Sequence, residues 1–555
     1  METKVQENKQ KRYKNYDQQL VVSLPVLLSE VVKENALARI VNEVVDGIEM
    51  KELDSYYKLE GCPPYHPRMM IKVWLYSFCN RVYTSRKLSK KLREDLGFMW
   101  LSGMQRPCFK TLSDFRGNRM KELIDVVFKQ VLSYLVIEGY VDLNDLYVDG
   151  SKWEANANKH KIVWRKNTAR YKEKVLDRLD EVLKRIGELQ QAEDKEYGNR
   201  DLNEKVDEGQ IHVVLSSEEL SIQISKVNEL VEQQVEKKNQ REFKSLRGQL
   251  LKEDKKLKKY EKQEKVLNGR NSYSHTDEDA TGLRMKDDQL RPGYNAEITT
   301  SKQFIINGTV HQNGSDSPTL IPHVEKLKER TLGLVAFDWH PDLTADAGYG
   351  SEENYDFLER EGIMGYIKFP MWYQEHSGML SKKLYRRENW SYNEEEAYFT
   401  CPNKKKLVFV QTKKVPTRND YVRTLDVYEC ESCLGCPFFK ECRGENAKPE
   451  SNRRVQVSKK LEAYKEKAKT KLSSEKGVKK RAQRSVDVET PFGDIKYNMG
   501  HRRFILRGID KVYIEFLLLA ISHNLRKVYC DKTGVWREYY AQRAAKRAQK
   551  QKKRA

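Results

Sequence analysis

Two aspartates stand in matching contexts. Asp149 follows the apolar run Leu146-Tyr147-Val148 and precedes Gly150, and Asp346 follows Leu343-Thr344-Ala345 and precedes Ala347-Gly348. Each approach reads as a short strand, and Gly150 predicts a sharp exit from the first one. A carboxylate where a strand emerges is held by the sheet while solvent still reaches it. Two of them on neighbouring strands would bind a divalent cation such as Mg²⁺, which needs few carboxylates and keeps positions for phosphate oxygens and water. The plain alternative for either residue alone is an Asp that bonds its own turn. Asp338 and Asp342 compete with Asp346 for the second position.

A second constellation is Cys430-x-x-Cys433-x-x-Cys436 with Cys442 close behind. Four thiols at this spacing predict a tetrahedral structural Zn²⁺ site, since nothing in the carboxylate chemistry calls for an iron–sulfur electron carrier. The chain has nine cysteines, an odd number and mostly scattered, which argues against a disulfide framework. Lys plus Arg number 103 against 82 Asp plus Glu, a formal net charge of +21 over 555 residues. Such a surplus favours a polyanion, most simply nucleic acid, through phosphate neutralisation and counterion release. No apolar run reaches the roughly 18 residues of a membrane span, and the polar N-terminus lacks the core of a secretion signal. The expectation is a cytoplasmic, nucleoid-associated protein without a membrane partner.

These side chains need elements to position them. Residues 1–20 read as a disordered basic arm and 21–138 as short helices with basic outer faces, a DNA-binding or dimerisation domain. Residues 139–165 and 271–370 carry strand, strand, strand, helix, strand, helix, strand, with a turn at Ser301-Lys302. That order predicts an α/β fold, a mixed sheet flanked by helices. Between the two halves, 166–270 shows apolar residues at steps of three and four among many Lys and Glu, an inserted helical arm expected as a hairpin or short coiled coil. Residues 371–475 form an insertion that holds the cysteines and the strand-like Lys406–Gln411. Residues 476–530 supply the C-terminal helices of the core, and 531–555 a basic tail.

The motifs carry a resemblance. Tyr147-Val-Asp-Gly-Ser-Lys-Trp-Glu-Ala-Asn-Ala-Asn158, Pro292-Gly-Tyr-Asn-Ala296, Ala345-Asp-Ala-Gly-Tyr-Gly-Ser-Glu-Glu-Asn-Tyr355, Pro491-Phe-Gly-Asp-Ile-Lys496 and Phe504-Ile-Leu-Arg-Gly-Ile-Asp-Lys-Val-Tyr-Ile-Glu515 resemble insertion-sequence transposases of the Asp-Asp-Glu type. The segment from Tyr65 to Arg116 is similar to the helical N-terminal domain of the same proteins. The resemblance implies a ribonuclease-H-like catalytic core, with Asp149 and Asp346 as the first two ligands of catalytic Mg²⁺ or Mn²⁺. It points to Glu489 as the third, because Phe492 and Lys496 follow it as in the family's Glu-Phe-Lys helix. Pro491 sits awkwardly there, since proline is tolerated in a helix's first turn. Glu515 competes from the apolar helix 512–521, where a Glu is expected at the solvent edge. Lys152, Arg484, Lys496, Arg502, Arg503 and Arg507 are the expected DNA contacts, and Cys401, which resembles a family cysteine, is an alternative zinc ligand to Cys430. The implied function is binding of the element's ends, hydrolysis there and joining of the 3′-hydroxyls to target DNA, in a homodimer or larger synaptic assembly. The alternatives are a catalytically inactive transposase-derived DNA-binding protein and a metal-dependent nuclease of the same fold.

Overall fold

The computed structural model describes residues 28–49, 64–197, 216–233, 237–334, 339–417 and 419–535. The expected arm over 1–20, Asp338, and the tail beyond 535 lie outside the described residues.

The sheet is built around two long strands, β1 (Asp145–Glu154) and its antiparallel neighbour Leu290–Ser301. The short strands β2 (Ile162–Trp164) and β3 (Ser272–Ser274) form a separate ribbon, and β4 (Thr281–Arg284) pairs with the start of Leu290–Ser301, which is β5. β6 (Phe304–His311) returns antiparallel to β5 after a turn at Lys302-Gln303, where both residues have positive φ. On the other side of β1, β7 (Asp342–Ala345) and β8 (Met364–Ile367) run parallel to it and to each other. Parallel pairing requires crossovers, and helices Leu320–Thr331 and Glu352–Arg360 provide them. The result is a mixed sheet with helices on its faces.

One expectation fails locally. Gly150 does not end β1: the strand continues to Glu154, paired with β5 as far as Gly293. What ends beside Asp149 is the parallel pairing, whose last register partners are Tyr147 and Thr344. Asp149 therefore lies where β1 loses its β7 neighbour while β5 still holds it.

Past that point β1 remains rigid because Trp153 is fully buried. Its ring meets Phe492, Phe504 and Phe516, and its indole N–H donates to the His501 carbonyl at 3.0 Å. Truncating such a side chain costs about 3–5 kcal/mol. Phe516 belongs to helix Ile509–Lys532, whose middle, Ile514–Leu525, is buried throughout. This helix crosses β6 at Gly308, where a Cβ would stand 3.1 Å from the Phe516 ring and 3.2 Å from Leu517. Helices Leu37–Asp46, Pro67–Cys79 and Met120–Ile137 pack on its other side and share one apolar core with the sheet.

Among the described residues the helical arm contains three helices, Arg165–Tyr197, Ser217–Gln233 and Lys237–Leu267. Val175, Leu179, Leu183, Leu220, Val227, Phe243 and Leu250 form its separate core. The middle helix presents the apolar stripe Leu220, Ile224, Val227 and Val231 to that core. Beyond β8, β9 (Ser391–Asn393), β10 (Tyr398–Thr400), β11 (Lys406–Pro416), β12 (Val422–Cys430) and β13 (Arg454–Val457) form an antiparallel sheet in the order β13-β12-β11-β10-β9. Helix Lys459–Ser473 then returns to β8, and helix Glu475–Gly493 crosses β1. Pro491 lies inside that second helix with its ring buried, against the first-turn expectation. The ladder adapts just beyond it, passing into a π-helical turn, Asp494–Asn498, where Met499 N–H reaches the Asp494 carbonyl at 2.8 Å. Among the described residues no helix is long and apolar enough to cross a membrane.

Candidate active site

The parallel register sets the site. Asp145 is paired with Asp342 and Tyr147 with Thr344, so two residues further on Asp149 and Asp346 fall alongside each other, on the same face, just past the last ladder bond. One guanidinium reaches both: Arg484 Nη1 lies 3.4 Å from Asp149 Oδ2, and Nη2 lies 3.7 Å from Asp346 Oδ1. Arg484 comes from helix Glu475–Gly493, laid over β1. One turn earlier, Lys480 bonds Asp145 and lies 3.0 Å from Asp342, which Lys476 also meets at 2.7 Å. Asp342, the competitor for the second position, is thus neutralised by two lysines, whereas Asp346 is half exposed at the mouth of the site.

The surroundings are anionic. Burial pushes Asp149 up to about 6; Arg484 and the Gly150 N–H oppose this, while Asp346 and Asp316 add to it. Asp316 was not found from the sequence. It lies in the loop after β6, where Asn295 Nδ2 donates to it at 2.8 Å, and a Cβ on Gly150 would approach it to 3.2 Å. Gly150 therefore gives close approach on one face of β1 while Asp149 projects from the other. Lys368, following β8, is the nearby cation: burial lowers its pKa and Asp346 raises it.

The two glutamates differ sharply. Glu515 is fully buried, contrary to the expected solvent edge. Its carboxylate receives His501 Nε2 at 2.8 Å, Ile505 N–H at 2.9 Å and Leu506 N–H at 2.8 Å. It is a structural acceptor that ties the 501–506 loop to helix Ile509–Lys532. Glu489 is exposed on the helix that carries Arg484, and among the described residues it has no hydrogen-bond or ion-pair partner. The structure brings Asp149 and Asp346 together and leaves Glu489 unengaged between Arg484 and Lys496.

The expected DNA-binding residues are spread along the same edge. Lys496 is mostly buried: its ammonium bonds Ser151 Oγ at 2.6 Å and the Lys152 carbonyl at 3.0 Å, and lies 3.9 Å from the Trp153 ring centroid. Burial pushes its pKa down to about 7, and Asp149 acts in the opposite direction. Lys152 itself donates to the Arg284 carbonyl. Arg503 and Arg507 donate to the carbonyls of Ala155, Ala157 and Asn156, which fixes the turn after β1. Arg502 lies over the Tyr497 ring and remains exposed.

At the far end of the insertion, Cys401, Cys430, Cys433, Cys436 and Cys442 line one small cavity with Trp390 and Phe439. Arg453 N–H donates to Cys433 Sγ at 3.2 Å and Asn403 Nδ2 to Cys436 Sγ at 3.5 Å, contacts that favour thiolate sulfur. Burial raises the Cys430 and Cys442 thiols. All five cysteines thus line one cavity, though no three of their sulfur atoms lie within 4.8 Å of one another.

Two families match the chain. "Transposase DDE domain" covers residues 400–529, which include the cysteine cluster, Arg484 and Glu489; "Transposase domain (DUF772)" covers residues 26–118, the N-terminal helices. Neither curated proteins nor solved structures give a match.

Proposed function

We propose that the chain is an insertion-sequence DDE transposase, a reading that the two family matches support, and that it cuts DNA at the ends of its element and joins them to a target. The observation that carries this reading is the shared Arg484 guanidinium between Asp149 and Asp346. A cation is held where the register converges two carboxylates, and a divalent ion would take the same position. The sheet order β6-β5-β1-β7-β8, with β7 and β8 parallel to β1, supports a ribonuclease-H-like core.

The donor set fits Mg²⁺ or Mn²⁺: hard carboxylate oxygens, buried at Asp149 and open to water on the Asp346 side. Asp149 and Asp346 would hold the ions, with Glu489 as the third carboxylate. Bound there, the ions would supply Lewis acidity toward water and toward the leaving oxygen of a phosphodiester. The chain's own residues do the rest. Arg484, displaced from the aspartates, and Lys368 offer positive charge to the scissile phosphate, while Arg502 contacts the flanking backbone. In the first step a water oxygen bonds to phosphorus and the P–O3′ bond breaks. In the second, the freed 3′-hydroxyl attacks a target phosphate and displaces another 3′-oxygen.

Cys433, Cys436 and Cys442, with Cys430 or Cys401 as the fourth ligand, would hold structural Zn²⁺ and pin the β9–β13 sheet. Synapsis of two ends would require a dimer or larger assembly. The test is Mg²⁺-dependent cleavage of plasmid DNA carrying the element's ends. Wild type should cleave and join, and Asp149→Ala and Asp346→Ala should bind the same DNA without cutting it. Equal cleavage by Asp149→Ala overturns the reading. Binding without cleavage by the wild type itself would favour a DNA-binding protein that has lost catalysis.

A further inference from the structure

Directly beneath the candidate active site lies a second cluster. In the β1–β5 register Asp149 faces Ile298 and Gly150 faces Glu297, so Glu297 projects from the face opposite Asp149. There it meets His311 at the end of β6 and His323 on helix Leu320–Thr331. Glu297 Oε2 lies 3.7 Å from His311 Nε2 and 4.0 Å from His323 Nδ1. The three ligand atoms lie within 4.8 Å of one another, and among the described residues no other group of three His, Cys, Asp or Glu does so.

We propose that Glu297, His311 and His323 form a structural site for a borderline transition ion of the Zn²⁺ type, pinning β5, β6 and helix Leu320–Thr331 together under β1. Three observations carry it. First, Glu297 and His323 are completely buried, and Glu297 Oε2 has no hydrogen-bond partner although Oε1 accepts from Thr319. An orphaned carboxylate oxygen in the interior is costly, and here it points at two ring nitrogens. Second, Thr309 Oγ1 lies 2.7 Å from His311 Nε2 and 2.6 Å from His323 Nδ1. One hydroxyl can donate to one nitrogen and accept from the other, so it satisfies the rings but leaves Glu297 unmatched. Third, adjacent ligands of tetrahedral zinc are about 3.3 Å apart for bonds of about 2.0 Å, so Glu297 Oε2 would have to draw about 0.4 Å closer to His311 and about 0.7 Å closer to His323, and the two ring nitrogens, within 4.8 Å of each other, would close up by side-chain rotation. Two imidazoles and one carboxylate suit zinc better than Mg²⁺. Thr309 Oγ1, or a water in its place, completes the coordination. His323 Nε2 meets Thr299 Oγ1 at 2.7 Å, an outer partner that fixes the ring.

The experiment uses the full chain carrying Asp149→Asn with Cys433→Ser and Cys436→Ser, which removes competition from the active site and leaves the thiol cluster too few sulfurs for a tetrahedral site. After reconstitution with excess Zn²⁺ and dialysis, elemental analysis should find one tightly held equivalent. Loaded with Co²⁺ instead, the same protein should show weak visible bands without a thiolate charge-transfer band, and X-ray absorption should show imidazole scattering. Adding His323→Ala should remove that equivalent. If the background protein, folded by circular dichroism, retains no ion, or retains one without imidazole ligands, the proposal is wrong. The spectroscopy is done with the cluster intact, so misfolding of a histidine variant leaves the test decisive.

Discussion

The most direct test of the site assignment compares two glutamates. Glu515 accepts three hydrogen bonds in a fully buried setting, from His501 and from the backbone of Ile505 and Leu506. Glu515→Ala strands all three donors. Breaking one partner of a buried charged network costs about 3–5 kcal/mol. At about 2–4 °C per kcal/mol for a unit of this size, the melting transition should fall by roughly 10 °C. Glu489 is exposed and unpartnered, so Glu489→Ala should change stability by less than about 0.5 kcal/mol and leave the transition within about 2 °C. On DNA the ranking should invert. Losing a metal ligand removes several kcal/mol of transition-state stabilisation, so Glu489→Ala should reduce Mg²⁺-dependent cleavage by about a hundredfold or more. Glu515→Ala, assayed well below its own midpoint, should retain most of its activity per folded molecule. Thermal unfolding followed by circular dichroism gives the first readout, and nicking of supercoiled plasmid carrying the element's ends gives the second. A Glu515→Ala protein that melts like wild type yet fails to cut, beside a Glu489→Ala protein that cuts normally, would reverse the assignment.

Three further outcomes follow from the same geometry. The Asp149 carboxyl titrates at about 6 in the folded chain, above its ordinary value of 3.8, so the unfolded chain loses that proton first and folding stability falls as pH rises from about 4 to 6. In metal-free buffer Asp149→Asn should therefore gain on wild type across that window and hold a constant lead above it; melting curves in which the lead shrinks with rising pH would contradict this. Arg484→Gln frees both aspartates from their cation, so Mg²⁺ should bind the DNA-free protein more tightly by calorimetry, while the slope of log affinity for DNA against log salt drops by about one. Chelation or Cys433→Ser should release one zinc from the thiol cluster and melt the β9–β13 sheet, seen as lost amide protection there with β1 and β5 unaffected.

Much of this was legible from residue order. The matched contexts of Asp149 and Asp346 reflect a real constraint: parallel strands in register put equivalent positions side by side, so each needs the same apolar approach. The clustered cysteines line one cavity for a simpler reason, because four of the five lie within thirteen residues of chain. Glu515 misled because an apolar helix normally keeps a Glu at its edge. Here the 501–506 loop folds back over the helix and presents two N–H groups and a histidine to it, a long-range fact that periodicity does not carry. Pro491 misled because the helix continues past it into a π-turn, whose first residue, Asp494, meets His523 at 2.8 Å across 29 positions, a contact that local sequence does not announce.

The cluster under β1 had a signal that went unread. Asn295, Glu297 and Thr299 on β5, and Asn307, Thr309 and His311 on β6, place polar groups at every second position. Such alternation ordinarily marks a solvent-facing side, yet helix Leu320–Thr331 covers this one, and Asn307 and Thr299 are fully buried beneath it. A polar face roofed by a helix must satisfy itself internally, and Glu297 Oε2 and Asn295 Oδ1 are the atoms that do not. Burial pushes Glu297 up to about 8, and Asp149 on the other face adds to that shift, so the two layers share one electrostatic balance through the β1–β5 pair. Fixing a cation below the sheet would lower the cost of keeping Glu297 charged and, by the same coupling, favour the ionised form of Asp149 that a catalytic metal requires.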